Sequence, residues 1–181
     1  MPIQIGGKPL ADFTQPISML YDCHKRIERF LDTLLTISRS RQGEALDEHH
    51  RSAVSAALRY FEQGARLHTV DEEESLFPRL RSSTANEAAR LGKCLSELEI
   101  EHRDNERRHG IVQRLATTWL EGSGLSAEDA QVLRNELERL ELTYRDHIRT
   151  EEDRVFPVAA KVLPQEDQQA IASEMKERRQ R

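Results

Sequence analysis

Two histidines of this sequence are each followed, four residues later, by a glutamate. The pairs are His68 with Glu72 and His147 with Glu151. Residues four apart in an α-helix lie on the same face, about 6 Å apart along the axis. Imidazole nitrogens and carboxylate oxygens are both ligands of transition metals, so each pair has the spacing of a metal-binding unit.

Four stretches of the chain repeat apolar residues at steps of three and four, and on each face one histidine replaces an apolar residue. Taken alone, each of these histidines is explained as an ordinary core or surface residue. A histidine on each of four apolar faces, together with two glutamates, favours a metal site, because a buried carboxylate is costly unless it is paired, hydrogen-bonded or bound to a metal. The predicted ligands are His24, His68, Glu72, His102, His147 and Glu151.

The sequence also contains an internal repeat. HTVDEEESLFP at 68–78 matches HIRTEEDRVFP at 147–157, an offset of 79 residues, and HKRIER at 24–29 matches HRDNER at 102–107, an offset of 78. Each half then supplies one histidine from its first helix and a histidine with a glutamate from its second. This arrangement predicts a pseudo-twofold site for two metals.

The apolar faces predict long helices near 17–40, 46–79, 86–121 and 127–160, with a short helix at 165–178 after Pro164. Short connections make neighbouring helices antiparallel, so the predicted fold is an all-α, up-down-up-down four-helix bundle. The expected division is an irregular N-terminal arm at 1–16, the bundle at 17–161, and a C-terminal helix and tail at 162–181. The basic end of the tail is expected to be solvated and frayed.

Composition limits the classes of function. A chain of 181 residues has the usual size of one domain, and its net charge of -5 provides no broad basic surface for nucleic acid or a membrane. No apolar run reaches the roughly 18 residues of a membrane span, and the start lacks the pattern of a secretory signal. With two cysteines there is no disulfide framework. We expect a soluble cytoplasmic protein with reduced thiols.

The repeated segments resemble the hemerythrin-like family, also called the HHE cation-binding domain. The resemblance covers about residues 16–161 and is carried by His24, by EHRDNER around His102 and by the two segments that begin at His68 and His147. It implies a four-helix bundle that encloses two non-haem iron ions with an oxo or hydroxo bridge. It also implies that Glu72 and Glu151 are bridging carboxylates.

One position departs from the family pattern. Oxygen-carrying hemerythrins have a second histidine four residues after the third-helix ligand, and Glu106 stands there in this chain. Two six-coordinate metals have about twelve positions, of which the six residues fill about eight and an oxo or hydroxo bridge about two more. The remaining positions are open to Glu106, water, O2, NO or peroxide. This favours sensing, peroxide chemistry or iron handling over reversible oxygen carriage.

Several neighbouring residues have two interpretations. Glu106 is either a seventh ligand or a surface residue, since Asn105 continues the apolar face. His109, one heptad beyond His102, is predicted to be a core or channel histidine. Tyr21 and Tyr144 each precede a predicted ligand by three residues; they either pack in the core or hydrogen-bond a bound oxygen species.

Other candidates are expected to stay outside the site. His49 and His50 lie too far along their helix, and Cys23 faces about 100° away from the ligand face. The acidic residues that directly follow the predicted glutamates are expected to be solvated or paired with arginines; these are Glu73, Glu74, Glu152 and Asp153. Dense packing at the ligand level predicts small voids and no entrance for a bulky organic substrate.

Three functions remain open. The first is a di-iron protein that binds O2, NO or peroxide in sensing, stress response or iron handling, with an unidentified protein partner for any output. The second is a small enzyme that decomposes peroxide or NO, or donates iron for repair of iron centres. The third is a structural zinc or iron bundle without small-molecule chemistry. Zinc is disfavoured because it prefers closed four-ligand sites of cysteine and histidine.

Overall fold

The computed structural model describes residues 14–180, of which all but the connecting turns are helical. Most of the predicted N-terminal arm lies outside the described residues. The helices are α1, Pro16–Arg41; α2, 48–82; α3, Asn86–Ala89; α4, Gly92–Glu121; α5, 127–162; and α6, Gln165–Arg178. Three stretches within α2 and α5 are π-helical: Phe61–Ala65, Asp71–Leu76 and Glu151–Val155.

The four long helices form the predicted bundle. Helix α1 packs on α2 and α5, and α4 packs on the same two helices, so the four close into a ring in up-down-up-down order. No strand occurs between residues 14 and 180, although Glu44 and Gly124 form an isolated antiparallel bridge. The prediction of an all-α bundle is confirmed.

That bridge joins the α1–α2 and α4–α5 connections at one end of the bundle. The Leu125 amide donates to the Gly43 carbonyl at 2.7 Å, and the Trp119 indole donates to the Glu44 carbonyl at 2.8 Å. Gly124 has a φ of 144°, and a Cβ there would lie 2.7 Å from the Gly43 oxygen. Glycine is therefore required for the two loops to approach this closely.

Two apolar clusters divide the core. One, around Trp119, Phe61 and Leu137, lies towards the bridged loops, and the other, around Phe77 and Phe156, lies towards α6. Along every long helix the predicted histidine falls between residues of the two clusters. The polar layer is thus enclosed between two hydrophobic layers.

Two helix boundaries differ from the prediction. The helix expected at 86–121 is broken, because the chain turns at Arg90 and Leu91 before Gly92, a residue of weak helix propensity, begins α4. Helix α2 also continues past Pro78 to Ser82. A π turn ends directly before Phe77, so Pro78, which lacks an amide hydrogen, lies where the helical hydrogen-bond pattern already changes.

The C-terminal tail is packed and is not frayed as predicted. Arg178 and Arg179 of the tail reach the carboxylate of Asp71 at 2.9 and 2.6 Å, and the Asp71 side chain is fully buried. A buried carboxylate needs such partners, which is why the tail is held in place. Among the described residues no helix is both long and apolar enough to cross a membrane.

Candidate metal centre

The structure brings the six predicted residues together in the polar layer. All of their side chains are nearly inaccessible, with between 0% and 7% of their surface exposed. Their donor atoms form two overlapping groups within 4.8 Å, and both groups include Glu72 and Glu151. His24 and His68 complete one group, and His102 and His147 complete the other.

The two carboxylates each face both groups. Glu151 directs Oε2 towards His24 Nε2 at 3.1 Å and Oε1 towards His147 Nε2 at 3.2 Å. Glu72 directs Oε1 towards His68 Nε2 and Oε2 towards His102 Nε2, each at 3.4 Å. Each glutamate therefore offers one oxygen to each group, which is the arrangement that two bridging carboxylates require.

Several buried polar atoms of the centre lack well-aligned hydrogen bonds within residues 14–180, which is expected where side chains bind cations. The four carboxylate oxygens of Glu72 and Glu151 and the His24 Nε2 are buried and make no well-aligned hydrogen bond among the described residues, although the carboxylate oxygens face histidine nitrogens at 3.1 to 3.4 Å. Buried polar atoms normally have partners, and leaving charged ones without any is costly. Metal ions between the two glutamates would satisfy these atoms.

Three outer carboxylates orient the histidines. Glu152 lies 2.9 Å from His24 Nδ1, Glu73 lies 2.8 Å from His102 Nδ1, and Glu101 lies 2.8 Å from His147 Nδ1. Such contacts place a proton on Nδ1 and leave Nε2 to face the centre. The expectation that Glu73 and Glu152 are solvated or paired with arginines is wrong. The sequence did contain a signal for this role, namely the second glutamate in each His-x-x-x-Glu-Glu segment.

The fourth histidine lacks this support. His68 Nδ1 is buried and has no hydrogen-bond partner among residues 14–180. The repeat explains the difference, because Cys23 occupies the position that corresponds to Glu101. The two halves are therefore not equivalent, although the inner six residues are symmetric.

Removing the Glu101 carboxylate should weaken metal binding. We expect Glu101→Gln to lower the affinity for a metal bound by His147 by about 10- to 100-fold, as is typical of an outer-shell partner. Isothermal titration with ferrous or manganous ion measures this effect, and Glu97→Gln on the exposed face of α4 is the matched control. Equal affinities for Glu101→Gln and wild type would contradict the assigned role.

Metal binding should also release protons. In the metal-free protein burial disfavours charged imidazoles, but the contacts with Glu72 and Glu73 raise the pKa of His102 to about 9. Burial likewise acts on His147, yet Glu151 and Glu101 raise its pKa to about 10. The two Nε2 atoms lie 3.0 Å apart, so one donates a hydrogen bond to the other and the pair shares one Nε2 proton. A metal bound by both imidazoles must displace that proton.

The number of released protons can be measured by titration calorimetry in buffers of different ionisation enthalpy. We expect at least one proton per chain to be released at neutral pH, and the apparent affinity to rise with pH up to the pKa values of the two histidines. An affinity that does not change between about pH 6 and 8, roughly the range below both pKa values, would contradict a site that uses these imidazoles.

The remaining candidates lie outside the two groups. Glu106 is exposed, and His49 and His50 lie at the start of α2. The Tyr21 hydroxyl donates to the Glu152 carbonyl at 3.3 Å, and its ring packs edge-on against Phe156. These positions agree with the surface and packing interpretations.

The predicted dense packing is wrong on one side of the centre. A cavity of about 420 Å³ lies between α2 and α4, and His102 forms part of its wall. His109 and Tyr144 also line it, with 2.9 Å between His109 Nε2 and the Tyr144 hydroxyl. His109 is therefore a cavity histidine, as the channel alternative predicted.

Comparison with known proteins agrees with the fold and the centre. The family model of the hemerythrin HHE cation-binding domain matches residues 15–159. The chain is also similar to an uncharacterized protein of Haemophilus influenzae (strain ATCC 51907 / DSM 11121 / KW20 / Rd), with 28% identity over 124 residues, which is 62% of this chain and 72% of that protein. This chain belongs to the hemerythrin HHE cation-binding family.

Proposed function

We propose that this protein is a cytoplasmic, non-haem di-iron protein whose metal pair reacts with a small ligand such as O2, NO or peroxide. The observation that carries the proposal is the placement of Glu72 and Glu151, each with one carboxylate oxygen towards either histidine group. Two cations held between two carboxylates need this placement. Cys23 and Cys94 are free thiols, which is consistent with a reducing compartment.

The donor set favours iron over zinc. Each group combines two imidazoles with two carboxylates, and neither includes a cysteine. Structural zinc sites are closed, four-coordinate and usually rich in cysteine, whereas histidine with carboxylate and open positions suits iron. When bound, a pair of iron ions supplies redox chemistry towards O2, NO or peroxide.

The protein's own residues decide how such a ligand approaches. The His102 side of the centre borders the cavity. On the other side the His24 ring stacks on Phe156, with 5.2 Å between the ring centroids. A small molecule therefore reaches the centre from the α2–α4 side. The exposed Glu106, where oxygen carriers have histidine, leaves a more open centre and favours oxidation or turnover over reversible storage.

Stopped-flow mixing of the reduced, iron-loaded protein with air-saturated buffer distinguishes storage from turnover. We expect absorption of the oxidised protein to appear on the first exposure and to remain when O2 is removed. An absorption change that reverses fully on deoxygenation through many cycles would overturn this preference. Repeating the experiment with NO and with peroxide distinguishes the sensing function from the alternative, a small enzyme that decomposes either compound or donates iron for repair.

A further inference from the structure

The cavity beside His102 has a smaller counterpart in the other half of the repeat. A groove of about 200 Å³ lies between α1 and α5 and is lined by Glu28, Leu31, Asp32 and Tyr144 among others. The repeat pairs helix α1 with α4 and α2 with α5. The two openings are therefore equivalent places in the two halves, and one is about twice as large as the other.

Smaller side chains in one half account for the larger volume. Ala65 stands three residues before His68, whereas Tyr144 stands three residues before His147. Gly110 likewise corresponds to Asp32 at the repeat offset of 78 residues. A phenol ring and a carboxylate that narrow the small groove are thus replaced by a methyl group and a hydrogen. A Cβ added at Gly110 would meet nothing within 4 Å, so the space there is open.

The same half has polar residues in the cavity wall where the other half has apolar ones. Asn105 and His109 line the cavity, and their repeat counterparts are Ile27 and Leu31. Asn105 is 3% exposed; its Oδ1 accepts a hydrogen bond from Thr143 at 2.9 Å, and its Nδ2 is too deeply buried for a molecule in the cavity to reach it. His109 Nε2 lies 2.9 Å from the Tyr144 hydroxyl. Both residues are therefore held by neighbouring side chains, and the accessible wall is mainly apolar.

The other walls define the rest of the ligand. Leu58, Phe61, Val70 and Val112 provide apolar surface. His109 adds no charge, because burial lowers its pKa to about 4. The rim of the cavity carries three glutamates and two arginines, a balance that favours no anion; they are Glu62, Arg66, Glu73, Arg103 and Glu106.

We infer that the cavity is a binding site for a neutral, largely apolar organic molecule. Its volume is within the usual range of small-molecule sites, about 300 to 1,000 Å³. The bound molecule lies directly beside His102 and hence beside the proposed metal pair. The inference goes beyond the proposed function and does not depend on which small ligand the metals bind.

The naphthalene ketone prodan is a suitable probe, because it is neutral and its emission shifts to shorter wavelength in apolar surroundings. We expect the metal-loaded wild-type protein to bind it saturably, with one molecule per chain. Gly110→Phe fills the cavity mouth without local strain, and Ala65→Tyr restores the side chain of the repeat counterpart. Each should weaken prodan binding by about 10-fold or more, as overfilling a packed site does.

Arg145→Ala in the small groove is the control and should leave prodan binding unchanged. Metal content is measured for each variant, so that loss of the centre is distinguished from loss of the cavity.

Two results would overturn the inference. They are an absence of saturable prodan binding to the wild-type protein, and prodan binding that survives Gly110→Phe at wild-type affinity. In the first case the cavity holds only water. Retained metals with lost prodan binding in Gly110→Phe would support the inference independently of the metal chemistry.

Discussion

Replacing Glu72 by alanine is expected to leave the purified protein with fewer than two metals per chain. The change removes one carboxylate oxygen from each group and one negative charge from between two cations. The loss of affinity should exceed the ~10- to 100-fold typical of an outer-shell partner, because a ligand to both metals is lost. Metal analysis by mass spectrometry, with chelator competition for the affinity, measures the effect.

The matched control is Glu74→Ala in the same π turn. Glu74 is 66% exposed and only reaches Arg178 at 3.5 Å, so its removal should leave the metal content unchanged. Glu151→Ala should behave like Glu72→Ala, because the two glutamates are equivalent by the repeat. A Glu72→Ala protein that holds two metals at wild-type affinity would show that Glu72 is no bridge.

Replacing both Arg178 and Arg179 by alanine is expected to cause the largest loss of stability. Both arginines contact the Asp71 carboxylate, which is 0% exposed and lies next to Glu72. Leaving a buried charge without partners costs about 3 to 5 kcal/mol, whereas breaking an exposed ion pair costs at most about 1 kcal/mol. Urea denaturation of the double variant gives the change in the free energy of unfolding.

Two controls isolate the buried charge as the cause. Lys176→Ala removes an exposed basic residue from α6 and should leave stability nearly unchanged. Adding Asp71→Asn to the double variant removes the charge and should recover part of the loss. A loss below about 1 kcal/mol for the double variant would place Asp71 among the ordinary surface pairs and contradict the described role of the tail.

The inner residues were predictable because helical spacing reports directly which side chains share a face. His68 and Glu72, four residues apart, could be placed together from the sequence, and the repeat extended the same reasoning to His147 and Glu151. The bundle followed from the same periodicity, since four amphipathic faces must bury one another.

The outer carboxylates could not be placed in this way. Glu73 and Glu152 each follow a predicted ligand by one residue, about 100° around the helix, and face a neighbouring helix instead. Both lie in π turns, where the hydrogen-bond pattern and therefore the side-chain directions differ from those of an α-helix. Pattern reasoning based on the α-helical period consequently assigned them to solvent.

The cavity was missed for a different reason. It arises where side chains are small, at Ala65 and Gly110, whereas apolar periodicity reports only side chains that are present. A comparison of the two halves of the repeat contained the signal, because Tyr144 and Asp32 occupy the equivalent positions. Divergence within a repeat is therefore as informative about function as its agreement.

X-ray diffraction from crystals of the iron-loaded protein, with anomalous data at the iron edge, tests the central claim most directly. We expect two anomalous peaks in the polar layer, each within about 2.0 to 2.3 Å of two imidazole nitrogens, a range taken from known imidazole–metal sites. One peak should lie beside His24 and His68 and the other beside His102 and His147, with Glu72 and Glu151 between them. A single peak, or peaks held by His49, His50 or His109, would contradict the account.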